Sequence, residues 1–221
     1  MNNLRQDFIR FSVDLGVLRF GEFITKAGRT SPYFFNAGLF NDGQSLGKLA
    51  DFYAQTLLNS GIEFDMLYGP AYKGISLVSA VAVALSNRGR NTPFAFNRKE
   101  AKGHGEGGIL IGAPMQGRVV IVDDVISAGT SVGESVQIIR AANATPVAVL
   151  IALDRMERSG KDDALSAYSA AQEVKNTYNM PVLSIANLDD LMAYLSQEGV
   201  DSALSRYRDA VKTYRAHYGA A

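Results

Sequence analysis

Four β-branched residues, Val119-Val120-Ile121-Val122, run straight into two carboxylates, Asp123 and Asp124. A loop of small and hydroxylated residues follows, Ser127-Ala128-Gly129-Thr130-Ser131, and then an amphipathic run, SVGESVQIIRAA. A strand with no polar alternation must be covered on both faces, which is the condition of a buried parallel strand. The stretch therefore predicts strand, tight turn and helix within a parallel α/β sheet. In such sheets ligands sit beyond the carboxyl ends of the strands. Small residues let backbone N–H groups approach a phosphate there, and the helix N-terminus adds about half a positive charge. Two adjacent acids suit the hydroxyls of a sugar, or a metal beside it. The loop thus offers donors for a phosphate and acceptors for a ribose. A strand ending in two solvated acids before a helix cap has the same local pattern.

A second unit of this kind precedes it. Phe64-Asp65-Met66-Leu67-Tyr68 reads as a short strand that enters Gly69-Pro70-Ala71-Tyr72-Lys73-Gly74 and then the apolar helix ISLVSAVAVALS. Lys73 is a cation suited to pyrophosphate, or else an exposed lysine on a routine turn. The Walker A spacing is absent. Pro93-Phe94-Ala95-Phe96 is another short strand, followed by RKEAKGHGEGG. Gly103, Gly105 and Gly108 satisfy Gly-x-Gly-x-x-Gly, but Ile109-Leu110-Ile111-Gly112-Ala113-Pro114 follows with no helix opening, so the dinucleotide-binding context is missing. The string reads either as a solvated charged loop or as a glycine-hinged cationic lid.

The rest of the chain completes the alternation. Leu4, Phe8, Phe11 and Leu15 have helical spacing, with Gly16 as a stop. GEFITKAGRTSPYFFNAGLF, with β-prone residues on both sides of a Gly-Arg-Thr-Ser-Pro turn, reads as a hairpin or as two irregular arms. Asn41 or Asp42 caps a helix over residues 45–59, with Gly61 past its end. Residues 146–153 form a buried strand ending at Asp154-Arg155. A helix is expected over 162–178, a strand over 181–185, a helix capped by Asn187, and a last helix over 201–217. Arg155, at a strand's carboxyl end, offers a planar fork for a carboxylate, or pairs with a surface aspartate.

Composition removes several classes. Of 221 residues none is cysteine, which excludes disulfides, thiolate metal sites and cysteine nucleophiles. There are only two histidines, His104 and His217, too few for a histidine-rich metal site. Lys+Arg and Asp+Glu are each 22, so no broadly basic nucleic-acid surface is expected. No apolar stretch approaches ~18 residues, so no membrane span is expected. The opening MNNLRQDFIRFSVD lacks a signal-peptide apolar region, and a cytoplasmic setting is favoured.

The string VVIVDDVISAGTS resembles the signature of the type I phosphoribosyltransferases, which use phosphoribosyl diphosphate (PRPP). Ser31-Pro32-Tyr33-Phe34-Phe35-Asn36, RKEAKGHGEGG and SAAQEVKNTYNMPVLSIANLDDL further resemble one branch, the orotate phosphoribosyltransferases, so that the likeness covers nearly the whole chain. The resemblance implies a central parallel sheet flanked by helices in one domain, residues 1–221, with a small hood drawn mainly from about residues 1–40 and part of the C-terminal region. It implies that Asp123 and Asp124 hold the ribose hydroxyls and that Val125, Ile126, Ser127, Ala128, Gly129, Thr130 and Ser131 hold the 5′-phosphate. Lys26, Tyr72, Lys73, Arg98, Lys99, Lys102 and His104 are implied PRPP contacts, with Arg98, Lys102 and His104 reaching into the neighbouring subunit of a homodimer. Lys102 joins the two acids as an implied catalytic group. Phe34, Phe35, Ser127 and Arg155 are implied at orotate; the family commonly carries threonine where this chain has Ser127, and the hydroxyl is kept. The family often bends the 69–74 loop through a non-proline cis peptide. Mg2+ is implied as cofactor, held through PRPP and water with no direct protein ligand.

The implied reaction joins orotate to PRPP, releasing pyrophosphate and giving orotidine 5′-monophosphate in pyrimidine nucleotide synthesis. Two alternatives are carried forward: a phosphoribosyltransferase for another base, and a PRPP-sensing regulator that binds nucleic acid on the same fold.

Overall fold

The computed structural model describes residues 2–25, 27–102, 108–126, 129–160, 164–197 and 202–220. A six-stranded sheet is built from β3 (Met66–Gly69), β4 (Phe94–Lys102), β5 (Gly108–Gly112), β6 (Arg118–Val122), β7 (Thr145–Asp154) and β8 (Val182–Asn187), in the order β5-β4-β3-β6-β7-β8. All neighbours are parallel except β4 and β5. Before it come α1 (Asn2–Asp14), the antiparallel hairpin β1 (Leu18–Ile24) and β2 (Thr30–Phe35), and α2 (Gly43–Asn59). The remaining helices are α3 (Lys73–Asn87), α4 (Thr130–Ala141), α5 (Ala170–Tyr178), α6 (Leu188–Leu195), α7 (Ser202–Ser205) and α8 (Arg208–Tyr218). Among the described residues no helix is long and apolar enough to cross a membrane.

The unbroken apolar run of β6 has its explanation in the two cores. Successive side chains of a strand point to opposite faces. Val120 and Val122 join Leu67, Ala148, Leu150 and Ala152 in a core closed by α1, α2, α3 and α6. Val119 and Ile121 join Met66, Tyr68, Val149 and Ile151 in a second core closed by α4 and α5. Each buried valine or isoleucine stabilises by roughly 1.5–3 kcal/mol, so a one-residue slip would turn both sets against the wrong helices.

The crossovers determine where a ligand can sit. From β3 the chain passes through α3, on one face, to β4; from β6 it passes through α4, on the other face, to β7. Adjacent strands whose connections leave in opposite directions open a crevice at their carboxyl ends. Here that crevice lies between Gly69 and Val122.

Local signals in the chain match the helix ends. The Asp42 side chain accepts from the Ser45 N–H and Asn187 from the Asp190 N–H, each within a capping box. Four segments differ from expectation. The hairpin turns ahead of Thr30, where Thr25 N–H donates to the Arg29 carbonyl, so that Thr30, Ser31 and Pro32 of the expected turn already belong to β2. The helix expected from residue 162 begins at Ala170, because Ser169 caps it and the preceding chain pairs with itself: Ser159 N–H donates to the Tyr168 carbonyl and Ser166 N–H to that of Ser159. The last helix is divided between α7 and α8, where Tyr207 stacks on Phe20 at 5.7 Å. The charged string after Phe96 continues β4 as far as Lys102, paired with β5; the pairing depends on a partner strand that the local composition does not announce.

Candidate active site

The two rims of the crevice are loops of unlike construction. On the β3 side, Gly69 and Gly74 bring the loop ends together: a Cβ on Gly69 would meet the Gly74 carbonyl oxygen at 2.0 Å. The Ala71–Tyr72 peptide is cis. Tyr72 is 73% exposed, and Lys73 opens α3. On the β6 side, Gly129 takes φ +71° and precedes α4 with no side-chain cap. Gly129 thus offers the first-turn N–H groups of α4 no side-chain acceptor, beside the exposed hydroxyl residues Thr130 and Ser131. This is an anion-binding end by construction. Val125 and Ile126 lead into the loop half-buried, while Ser127 and Ala128 lie outside the described residues.

Between these rims stand the acids. Asp124 N–H donates to Asp123 Oδ1 at 2.9 Å, and Val125 N–H donates to Asp124 Oδ1 at 2.9 Å. Ser131 Oγ donates to Asp123 Oδ2 at 3.2 Å. Lys73 Nζ reaches Asp124 Oδ2 at 2.6 Å, so the cation of one rim is paired with an acid of the other. The backbone beneath is held by Tyr53 Oη, which donates to the Asp123 carbonyl at 2.8 Å, and by Ala152 N–H, which donates to the Asp124 carbonyl at 2.9 Å. Burial and then the neighbouring charge of Asp124 push Asp123 up to about 6. A cavity of about 140 Å³ opens under the Lys73–Asp124 pair, lined by Gly38, Phe40 and Leu77 among others.

Arg155 follows the end of β7, and its guanidinium is already engaged. Nε donates to Glu157 Oε1 at 2.8 Å, with Nη2 2.7 Å from the same oxygen; Nη2 donates to Ser31 Oγ at 3.3 Å, and the group lies 4.9 Å from the Tyr33 ring centroid. Tyr33 Oη donates to the same Glu157 oxygen at 3.0 Å. Burial outweighs the nearby Arg155 and pushes the Tyr33 hydroxyl up. Phe34 and Phe35, at the end of β2, go to opposite sides. Phe34 stacks on Phe23 at 5.5 Å, and Phe35 leans on Phe8 and Phe40. The C-terminal helix closes this end: Tyr214 meets Tyr33 edge-on at 6.3 Å, and Glu157 bridges to Gly219.

The cationic arm is described in part. Arg98 is half-buried, with Nη1 buried and without a hydrogen-bond partner among the described residues. Lys99 is exposed, its Nζ 5.8 Å from the Tyr72 ring centroid. Lys102 is described in its backbone alone, and Lys26 and His104 lie outside the described residues. Three residues at the site have no counterpart in the sequence reading. They are Tyr53, which falls within the helix expected over 45–59, and Glu157 and Asn97, which the sequence does not single out. A polar group inside an apolar helical stripe is the one signal that singles out Tyr53.

The two acids, the uncapped helix end and a paired lysine form a site that can hold a sugar by its hydroxyls between two anions. Residues 38–176 match the phosphoribosyl transferase domain family. Over 219 residues the chain is 76% identical to an orotate phosphoribosyltransferase of Herminiimonas arsenicoxydans, covering 99% of each chain. It is 73% identical over 221 residues to that of Janthinobacterium sp. (strain Marseille), covering 100% of each. The crystal structure of orotate phosphoribosyltransferase from Francisella tularensis superposes with a TM-score of 0.84 at 41% identity, covering 97% of this chain and 100% of that one. The family model places the chain among the phosphoribosyl transferases, and its likeness to these relatives over nearly its whole length shows that it belongs to the orotate phosphoribosyltransferases.

Proposed function

We propose that the crevice between β3 and β6 binds PRPP and transfers its ribose 5-phosphate to orotate, giving orotidine 5′-monophosphate and pyrophosphate. The observation that carries this reading is the acid pair at the switch point, flanked by the uncapped N-terminus of α4 and bridged to Lys73. Asp123 and Asp124 accept from the ribose hydroxyls. The 5′-phosphate rests on residues 125–131 at the helix end. Pyrophosphate lies against Tyr72 and Lys73, and Phe34, Phe35, Ser127 and Arg155 receive orotate, with Lys26 at PRPP.

Charge explains the chemistry. Cleavage at the anomeric carbon develops positive charge on the ribose and negative charge on pyrophosphate. The acids put negative potential beside the sugar, and Lys73 and the arm's cations stabilise the leaving group. This is electrostatic preorganisation without a covalent nucleophile. Arg98, Lys99, Lys102 and His104 act as a lid that excludes water, which would otherwise compete as acceptor. In the homodimer we propose, Arg98, Lys102 and His104 serve the neighbour's site. The hairpin of β1 and β2, with α8 packed on it, acts as the hood of a single cytoplasmic domain.

Magnesium fits as an ion carried by the substrate. Asp123 and Asp124 are two carboxylates, no group of three or more metal-ligating side chains gathers among the described residues, and Mg2+ commonly keeps water and phosphate oxygens as ligands. When bound, it supplies further positive charge at pyrophosphate.

Orotate consumption followed by ultraviolet absorbance, with PRPP and magnesium each omitted in turn and uracil or adenine substituted for orotate, tests the reading. Loss of orotate only in the complete mixture is expected. Turnover of another base alone would keep the PRPP site and reject the roles given to Phe34, Phe35 and Arg155.

A further inference from the structure

β3 stops pairing with β4 at Gly69, whose partner is Phe96. Two residues on, the Ala71 N–H lies in the loop and needs an acceptor that the ladder no longer supplies. Asn97 supplies it: its Oδ1 accepts from the Ala71 N–H at 2.8 Å. A backbone N–H can only donate, so the amide's orientation follows from this contact. Its Nδ2 is thereby turned away and donates to the Arg98 carbonyl at 3.2 Å. One side chain thus joins the loop before Tyr72 and Lys73 to the first residue of the cationic arm. The contact is part of the crevice wall. Ala71, Asn97, Lys99, Thr130 and Ser131 line one cavity of about 250 Å³ between this loop and the N-terminal end of α4.

We propose that Asn97 is a positioning residue for the pyrophosphate end of the reaction: it holds the backbone of the 69–74 loop in register with the arm, so that Tyr72 and Lys73 meet the leaving group. The inference rests on the reading that this loop receives pyrophosphate. A loop held only by its two ends samples more conformations, and each substrate molecule must then bear the cost of ordering it. In the proposed arrangement Asn97 braces the pyrophosphate loop through Ala71 and is assigned no contact to sugar or base, so its loss is expected to act on one substrate of each pair.

The test is steady-state kinetics in both directions with Asn97→Ala and Asn97→Ser, alongside melting temperatures. The KM values for PRPP and, in reverse, for pyrophosphate should rise about tenfold in Asn97→Ala, the factor carried by one hydrogen bond of ordinary strength. Those for orotate and orotidine 5′-monophosphate should stay within about twofold, on the same reasoning that the bond acts at one end only. Asn97→Ser, which keeps an oxygen acceptor on a shorter side chain, should fall between Asn97→Ala and the natural protein. Equal rises for all four substrates, unchanged KM values, or failure of both variants to fold would overturn the assignment. Wild-type protein without orotate turnover would instead reject the underlying functional reading, so the two failures are distinguishable.

Discussion

Lys73 Nζ lies 2.6 Å from Asp124 Oδ2, with the lysine side chain 58% exposed and that of the aspartate 10%. The pair spans the crevice, and each member is a proposed contact of a different part of one substrate. Arrival of PRPP would exchange it: the acid takes a ribose hydroxyl and the lysine takes pyrophosphate, so neither is left without a partner. Lys73→Ala is expected to raise the KM for PRPP roughly 10–100-fold, the range of a hydrogen bond to a charged group, while the KM for orotate changes little. Initial rates with both substrates varied provide the check, and an unaltered KM for PRPP would remove Lys73 from the pyrophosphate.

Asp123 supplies a pH dependence. Its carboxyl is pushed from 3.8 to about 6, first by burial and then by Asp124, with Ser131 and Lys73 opposing the shift. Between 3.8 and about 6 the folded chain keeps a proton that the unfolded chain has lost. Asp123 therefore favours the fold at low pH, and this contribution is lost as pH rises through that window. Asp123→Asn should raise the melting temperature at pH 7 relative to the natural protein, with the difference vanishing near pH 4. The same substitution should cut kcat/KM for PRPP about 100-fold or more. It should also remove the part of an acid limb near pH 6 that Asp123 supplies, while the part due to substrate phosphates, which titrate in the same region at about 6, stays in both proteins. A pH–rate profile of the variant that keeps the full limb would assign it to the substrate alone.

Arg155 joins stability to base recognition. Its guanidinium holds Glu157, which is also held by Tyr33. Removing one partner of a mostly buried pair strands the other, at about 3 kcal/mol. Arg155→Ala should therefore lower chemical-denaturation stability by that order. It should also raise the KM for orotate about 100-fold, as the loss of a charged donor to a carboxylate does, and leave the KM for PRPP near its natural value. Arg155→Lys should recover part of the stability but little of the orotate affinity, because an ammonium cannot reproduce the planar fork. Equal loss for both substrates would make Arg155 a residue of the fold only.

Sharing of the site between subunits is tested by mixing. Lys102→Ala should lower kcat far more than it raises the KM for PRPP, the mark of a group acting chiefly in the transition state. Mixed with Asp123→Asn after dissociation and reassembly, it should recover about a quarter of the natural activity, since half of random dimers are mixed and each holds one complete site. No recovery would mean that each chain completes its own site.

The legible parts of this protein are those that short-range rules govern. The run 119–122 demanded two covered faces whatever surrounded it, and both cores obey. Asp42 and Asn187 cap helices through bonds only three residues long, and the small residues after Asp124 mark a helix start that needs no distant partner. The acids, the phosphate loop and the 69–74 loop could thus be picked out before any fold was known. The strand character of residues 97–102 could not, because a charged run becomes strand only when another strand meets it.

Longer contacts were invisible for the same reason. Tyr53 reaches Asp123 across 70 residues, Asn97 reaches Ala71 across 26, and Tyr33 reaches Glu157 across 124. Each residue alone is compatible with a bland role, and only closure of the chain gives it a partner. The amino-acid order determined the strands, their caps and the chemistry carried at their ends, since hydrophobic period and backbone geometry act between near neighbours. The tertiary fold decided which ends face one crevice and which polar groups brace them, since sending α3 and α4 to opposite faces depends on the whole sheet being buried at once.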